Sequence, residues 1–177
     1  MIREGRTEDL PSIQELIHQT IDMMHAEGSD QWDASYPQME QFEQDIEHHS
    51  LFVKETDEGV QACITVDQEM APQYLDIPWT SPDEPAMTFH RLAVSPHARQ
   101  GGLAKELIRF GENLAAARGI RWIRIDTYSL NDKAQALFNR LGYAKKRRND
   151  LSRQSQALLL LRKGFAGVAR PPLLRMV

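Results

Sequence analysis

The stretch from Ala86 to Leu114 constrains the fold of this chain more than any other. Ala86 to Val94 is mostly apolar, has the length of a strand, and is closed off by Ser95-Pro96. Two adjacent glycines follow, Gly101 and Gly102, after which Leu103, Leu107, Phe110 and Leu114 recur at the spacing of one helix face. A strand that turns through glycines into an amphipathic helix has to bury that helix on a sheet, which is the construction of an α/β or α+β domain.

The remaining segments fit around this unit. A short strand is expected at Ile2, and Leu10, Ile13, Ile17, Ile21 and Met24 predict an amphipathic helix with Thr7 or Asp9 as its cap. Gly28 to Asp33 breaks the helical pattern, and a second helix is expected from about Gln38 to His48. Leu51 to Lys54 and Val60 to Val66 read as a hairpin turning at Asp57-Glu58-Gly59. Pro72, Pro78, Pro82 and Pro85 remove backbone donors and predict an irregular insertion between Met70 and Pro85, either functional or a surface excursion. Downstream come a strand at Trp122 to Ile125 and a helix from Asn131 to Leu141 stopped by Gly142. Strands near Tyr143 and at Ala157 to Leu161 close the series. Residues 1–165 read as one domain. Residues 166–177, with Pro171 and Pro172, read as a tail that is either disordered or docked on a partner.

A chain of 177 residues suits a single core, since a domain of this size buries roughly 70% of its unfolded surface. The net charge of -4 argues against a nucleic-acid partner, which would need clustered cations to displace counterions. The run Lys145, Lys146, Arg147, Arg148 is followed by Asp150 and reads as a solvated face. Cys63 has no second cysteine to pair with and sits between Ala62 and Ile64, where a small buried side chain fits; a nucleophile is the alternative. The longest aliphatic run, Ala157 to Leu161, is too short to span a bilayer, so a cytoplasmic protein with no membrane partner is expected. The apolar end of the tail, Leu173-Leu174 and Met176-Val177, could support a homodimer.

The glycine junction has the physics of an anion site. The first N–H groups of a helix lack intrahelical partners, the helix dipole adds positive potential, and glycines let a phosphate approach the backbone. Arg99 could add charge, while Gly102 and Ala104 keep the first turn clear of bulk. An ordinary strand-to-helix turn is the competing reading. A P-loop would need Lys and then Ser or Thr where Leu103-Ala104 stand. A dinucleotide fold would place its glycines near the start of the chain, not after several strands.

Arg99-Gln100-Gly101-Gly102-Leu103-Ala104 resembles the Arg/Gln-x-x-Gly-x-Gly/Ala signature of the GNAT superfamily of acyl-CoA-dependent N-acyltransferases. Asn131, Ala134 and Leu137, ending in Leu141-Gly142-Tyr143, are similar to that family's Asn-x-x-Ala helix. The opening Ile2-Arg3 with Thr7 and Asp9 is similar too, so the resemblance covers roughly residues 1–163. It implies a mixed, mostly antiparallel sheet of about six to seven strands flanked by helices. That sheet would splay at the CoA slot, between the strand ending at Val94 and the one ending at Asp126-Thr127. It further implies acetyl-CoA as cosubstrate. Leu92, Ala93 and Val94 would line the pantetheine arm, Arg99, Gln100, Gly101, Gly102, Leu103 and Ala104 would cradle the pyrophosphate, and Asn131 would face the pantetheine. The implied acceptor is a primary amine on a small molecule or polypeptide.

Acyl transfer to an amine needs a base, an oxyanion donor and a proton for the departing thiolate, but no metal. The resemblance makes the Val94 N–H the oxyanion donor. Many members carry a tyrosine as the acid where this chain has Phe138. The acid is then Tyr128 or another group, or water, or the chain is a non-catalytic acyl-CoA sensor; an interaction domain that binds no CoA is a third reading. His90 is a candidate base, its alternative being a hydrogen-bonded structural histidine, with Asp126 and Glu84 behind it. Trp32, Asp33 and Tyr36 lie where the family builds its acceptor pocket; burial of Trp32 as a loop anchor is the competing reading.

Overall fold

The computed structural model describes residues 1–79, 81–146 and 159–164. Its elements, in chain order, are β1 (Ile2–Glu4), α1 (Leu10–Ala26), α2 (Met39–Glu47), β2 (Leu51–Thr56), β3 (Gly59–Asp67), β4 (Ala86–Val94), α3 (Leu103–Ala117), β5 (Trp122–Thr127), α4 (Asp132–Arg140), β6 (Ala144–Lys146) and β7 (Leu159–Gly164). Short 3-10 segments occupy Thr7–Asp9, Pro72–Asp76 and Pro96–Gly101. The strands order as β1-β2-β3-β4-β5-β7-β6, the mixed and mostly antiparallel sheet expected. Among the described residues no helix is long and apolar enough to cross a membrane. The tail at 166–177, Arg147, Arg148 and residues 157 and 158 lie outside the described residues.

The chain divides into two compact units, and β4 passes from one into the other. Unit one is Met1–Asp67 with Phe89–Phe110. Here β1 and β3 flank β2 in antiparallel register, as in Arg3 opposite Val53 and Val53 opposite Cys63. Gly59 turns the hairpin at φ +93°, in the left-handed region that costs glycine little. Ile13, Leu16 and Ile17 of α1 pack with Phe42 of α2, Val53 and Ala93 into one apolar cluster. Arg3 clamps Asp9 with two hydrogen bonds of 2.7 and 2.8 Å, and Asp9 also accepts the Arg6 N–H at 2.8 Å, fixing the entry to α1.

Unit two is Gln68–Thr88 with the described residues from Gly111 onward. β4 pairs in parallel with β5 through Ala86–Trp122 and Met87–Ile123, a pairing that needs a crossover, supplied by α3. β7 pairs antiparallel with both β5 and β6. The proline-rich insertion is largely irregular, as its composition predicts, but it carries its own apolar cluster of Tyr74, Ile77 and Trp79. The Trp79 indole N–H donates to the Tyr74 carbonyl at 2.8 Å, and the Tyr74 hydroxyl donates to Asp126. Burial and then the Asp126 charge hold the Tyr74 phenol protonated far above its ordinary range.

Candidate functional site

In the middle of β4, Arg91 adopts φ +48°, a left-handed conformation that side chains other than glycine rarely take. The strand turns there, where the buried run Ala86 to Phe89 gives way to three half-buried residues, His90, Arg91 and Leu92. The guanidinium that belongs to this kink is largely covered, at 10% side-chain exposure, and clamped. Its Nε and Nη2 donate to the two oxygens of Asp45 in α2 at 2.8 and 2.6 Å. Asp45 also accepts the Thr65 hydroxyl of β3 at 2.6 Å, and the guanidinium lies 5.9 Å from the Phe42 ring centroid. Burial works against this charge, but hydrogen bonding to Asp45, helped by Tyr36, outweighs it and raises the Arg91 pKa. Nothing in the sequence pattern announces the clamp, because an arginine within a strand reads as solvent-facing and its partner is 46 residues away.

Beyond the kink, β4 delivers Leu92, Ala93 and Val94 to the glycine junction. The Ser95 N–H donates to the Gln61 carbonyl at 2.8 Å, and the Ser95 hydroxyl accepts the His97 N–H at 3.3 Å, so the chain enters the 3-10 turn from a fixed position. Arg99 and Gln100 belong to that turn, and their side chains lie outside what is described. Gly102 stands at φ +72°, and a Cβ built on it would meet no heavy atom within 4 Å. The first bond of α3 is the Glu106 N–H to the Gly102 carbonyl at 3.0 Å, which leaves the N–H groups of the first turn without intrahelical acceptors. Open space above a left-handed glycine at the start of a four-turn helix suits a phosphate group.

The remaining candidates fall in both units. In unit one, His90 Nε2 lies 3.1 Å from Asp67 Oδ1, both side chains being largely buried. Trp32 is 5% exposed and belongs to the apolar cluster of α1. Its ring meets that of Tyr36 edge-on at 6.3 Å. Asp33 is exposed and accepts both the hydroxyl and the N–H of Ser35 (2.6 and 2.7 Å), which hold its carboxyl below the usual range. The Cys63 thiol is fully buried, and burial pushes it up to about 12, so it stays protonated at neutral pH. In unit two, the Asn131 side chain accepts the Ala134 N–H at 3.0 Å and thereby caps α4. Tyr128 is buried, and Phe138 packs edge-on against Tyr143 at 5.2 Å. Glu84 accepts the Trp122 indole N–H at 2.9 Å. Among the described residues no cluster of three or more His, Cys, Asp or Glu side chains could hold a metal ion.

A bent apolar strand followed by a left-handed glycine and a helix N-terminus is therefore real in three dimensions. The model of the Acetyltransferase (GNAT) family matches residues 17–143, from α1 through Tyr143. The chain belongs to the GNAT acetyltransferase family. A Staphylococcus aureus Mu50 protein assigned as an acetyltransferase is 32% identical, over 93% of this chain and 98% of that one, with a TM-score of 0.73. A GNAT-family acetyltransferase from Streptococcus agalactiae 2603 is 24% identical over 94% and 96% of the two chains, at a TM-score of 0.76. The PaiA N-acetyltransferase of Thermoplasma acidophilum, solved in complex with coenzyme A, shares the fold at 13% identity and a TM-score of 0.70, over 93% and 98% of the chains. No curated protein sequence matches the chain significantly. Gly101 ends the 3-10 turn, and Gly102 stands between it and the start of α3.

Proposed function

We propose that this GNAT protein transfers the acetyl group of acetyl-CoA to a primary amine, on a small molecule or a polypeptide, by direct attack within a ternary complex in the cytoplasm. The observation that supports it most is the path of β4, bent at Arg91 and leading through Gly102 at φ +72° into the first turn of α3. The cosubstrate supplies an activated thioester; the protein's part is to hold it and to move protons. The N–H groups at the start of α3, with residues Arg99 to Ala104, would hold the pyrophosphate. Backbone groups of Leu92 and Val94 would pair with the pantetheine amides, and the Val94 N–H would donate to the thioester oxygen as charge builds on it.

His90 is assigned as the group that takes the proton released when the amine attacks. Asp67, at 3.1 Å from Nε2, would keep a proton on that nitrogen and leave Nδ1 as the acceptor. Tyr128 is assigned as the donor that returns a proton to the thiolate. Residues 1–165 act in this reading as one catalytic domain, and Trp32, Asp33 and Tyr36 belong to the loop that admits the acceptor.

The first test is a calorimetric titration of the full chain with acetyl-CoA, followed by CoA release over a panel of primary amines. Saturable binding and sustained release with one amine are expected; the absence of any acetyl-CoA binding would overturn the proposal. Gly102→Val should abolish binding, because its side chain fills the phosphate approach and is strained at positive φ. Unchanged affinity would remove the pyrophosphate assignment. His90→Gln should keep the affinity and lose turnover. A second reading, a non-catalytic acyl-CoA sensor, is favoured by Phe138, whose buried ring stands where many members carry the acidic tyrosine. Binding without release for every amine would select it.

A further inference from the structure

The Arg91 guanidinium is more elaborately held than a strand residue needs. It takes a bidentate grip on Asp45 of α2, with N···O distances of 2.8 and 2.6 Å. Asp45 is tied in turn to Thr65 of β3 at 2.6 Å. The Tyr36 side chain, from the loop between α1 and α2, stands near enough to the guanidinium to act on its charge. Its own backbone carries the left-handed bend of β4, and its carbonyl accepts the Cys63 thiol at 3.7 Å. One side chain thus links the bend in β4 with the loop that carries Trp32 and Asp33.

Two physical facts make this more than packing. A left-handed, β-branch-free but bulky residue in a strand persists only where the surroundings over-determine it, and such residues concentrate at functional sites. A planar guanidinium gripped on both nitrogens has its orientation fixed as well as its distance, which a lysine ammonium would not give. Asp45, Thr65 and Cys63 supply that over-determination from α2 and β3.

We propose that Arg91 is a positioning residue: gripped by Asp45 at the left-handed bend of β4, with Tyr36 beside it, it sets that bend and the seating of the 31–37 loop together. The inference rests on the acetyltransferase reading, since the segment it bends, Leu92 to Val94, is the one assigned to the cosubstrate. On this view Tyr36 serves the acceptor loop by latching it to Arg91, and its hydroxyl need not touch the acceptor.

The test compares wild-type full chain with Arg91→Lys, Asp45→Asn and Tyr36→Phe, using amide hydrogen exchange and acetyl-CoA calorimetry. Ile13→Val, a truncation in the same apolar cluster, controls for lost stability alone. Arg91→Lys and Asp45→Asn should speed exchange in both 31–37 and 90–95 and weaken acetyl-CoA affinity by roughly tenfold. Tyr36→Phe, which removes one hydroxyl, should speed exchange in 31–37 and leave acetyl-CoA affinity unchanged. Exchange that rises evenly along the chain, as in the Ile13→Val control, or affinity that stays at the wild-type value in Arg91→Lys, would overturn the inference. If Arg91→Lys fails to fold, unaltered loop exchange in Tyr36→Phe is by itself enough to overturn it. Failure of the acetyltransferase reading looks different, because the wild-type chain would then bind no acetyl-CoA at all.

Discussion

Arg91 in unit one, half-buried, and Arg124 in unit two, buried, are held in opposite ways. Arg91 meets a carboxylate with both arms of its fork, and against burial the hydrogen bonding to Asp45 raises its pKa. Arg124 donates instead to two backbone carbonyls of the insertion, Ser81 at 2.5 Å and Glu84 at 3.2 Å, and lies over the Trp79 ring at 5.1 Å. Burial lowers its pKa, with the Glu84 charge only partly opposing. The difference separates two uses of one side chain. At Arg91 the charge is neutralised locally and orientation is the product; at Arg124 the cation serves as a hydrogen-bond donor and apolar plate that gives an irregular segment something to fold against.

The comparison breaks most sharply if the carboxylate is removed. Asp45→Ala leaves the Arg91 guanidinium buried without its partner and should cost about 3–5 kcal/mol in urea unfolding. Replacing the set, Asp45→Leu with Arg91→Met and Thr65→Val, should recover most of that loss, because no buried charge then remains. A triple variant as unstable as Asp45→Ala would mean that the pair's geometry, rather than its charge, supports the fold. Among the described residues Arg124 has no bidentate carboxylate partner to lose, so the smaller effect is expected there. Arg124→Met frees the Ser81 and Glu84 carbonyls and should cost about 1–3 kcal/mol. The cost should appear as faster hydrogen exchange confined to the insertion between residues 68 and 85, while uniform acceleration would make Arg124 a core residue like any other. Lysine sharpens the contrast: it can still donate to a carbonyl at position 124, but at position 91 it cannot reproduce the fork.

The same contrast explains what could be read before the structure was known. The elements of both units were legible because apolar periodicity and glycine or proline punctuation are local signals; α1, the β2–β3 hairpin and α3 fall within a few residues of their expected bounds. Gly102 drew notice in the sequence for the room it leaves above the first turn of a helix; its left-handed φ of +72° shows only in the structure. Arg91 was not, since arginine carries no preference for that backbone region and its partner Asp45 sits on a different element. The insertion was half legible. Its prolines announce irregular backbone, but the burial of Tyr74 and Trp79 depends on Asp126 and Arg124 of β5, which no local pattern links to them.

Arg3 provides the intermediate case and the smallest effect. It grips Asp9 bidentately, as Arg91 grips Asp45, but at the mouth of α1, with side-chain exposures of 15% and 10%. Hydrogen bonding from Arg3 holds the Asp9 carboxyl below its usual range, against burial and with help from the Arg6 N–H. A carboxyl whose pKa is lower folded than unfolded contributes stability above its unfolded value and loses it as pH falls through the folded one. The urea midpoint should therefore drop on acidification below about pH 4, the ordinary carboxylate range. Asp9→Asn should start lower and flatten that drop, since it has no proton to gain. If the wild-type and Asp9→Asn midpoints ran parallel through the acid range, the Arg3 grip would contribute geometry without measurable charge energy. The bidentate arrangement at Arg91 would then have to be judged by orientation alone.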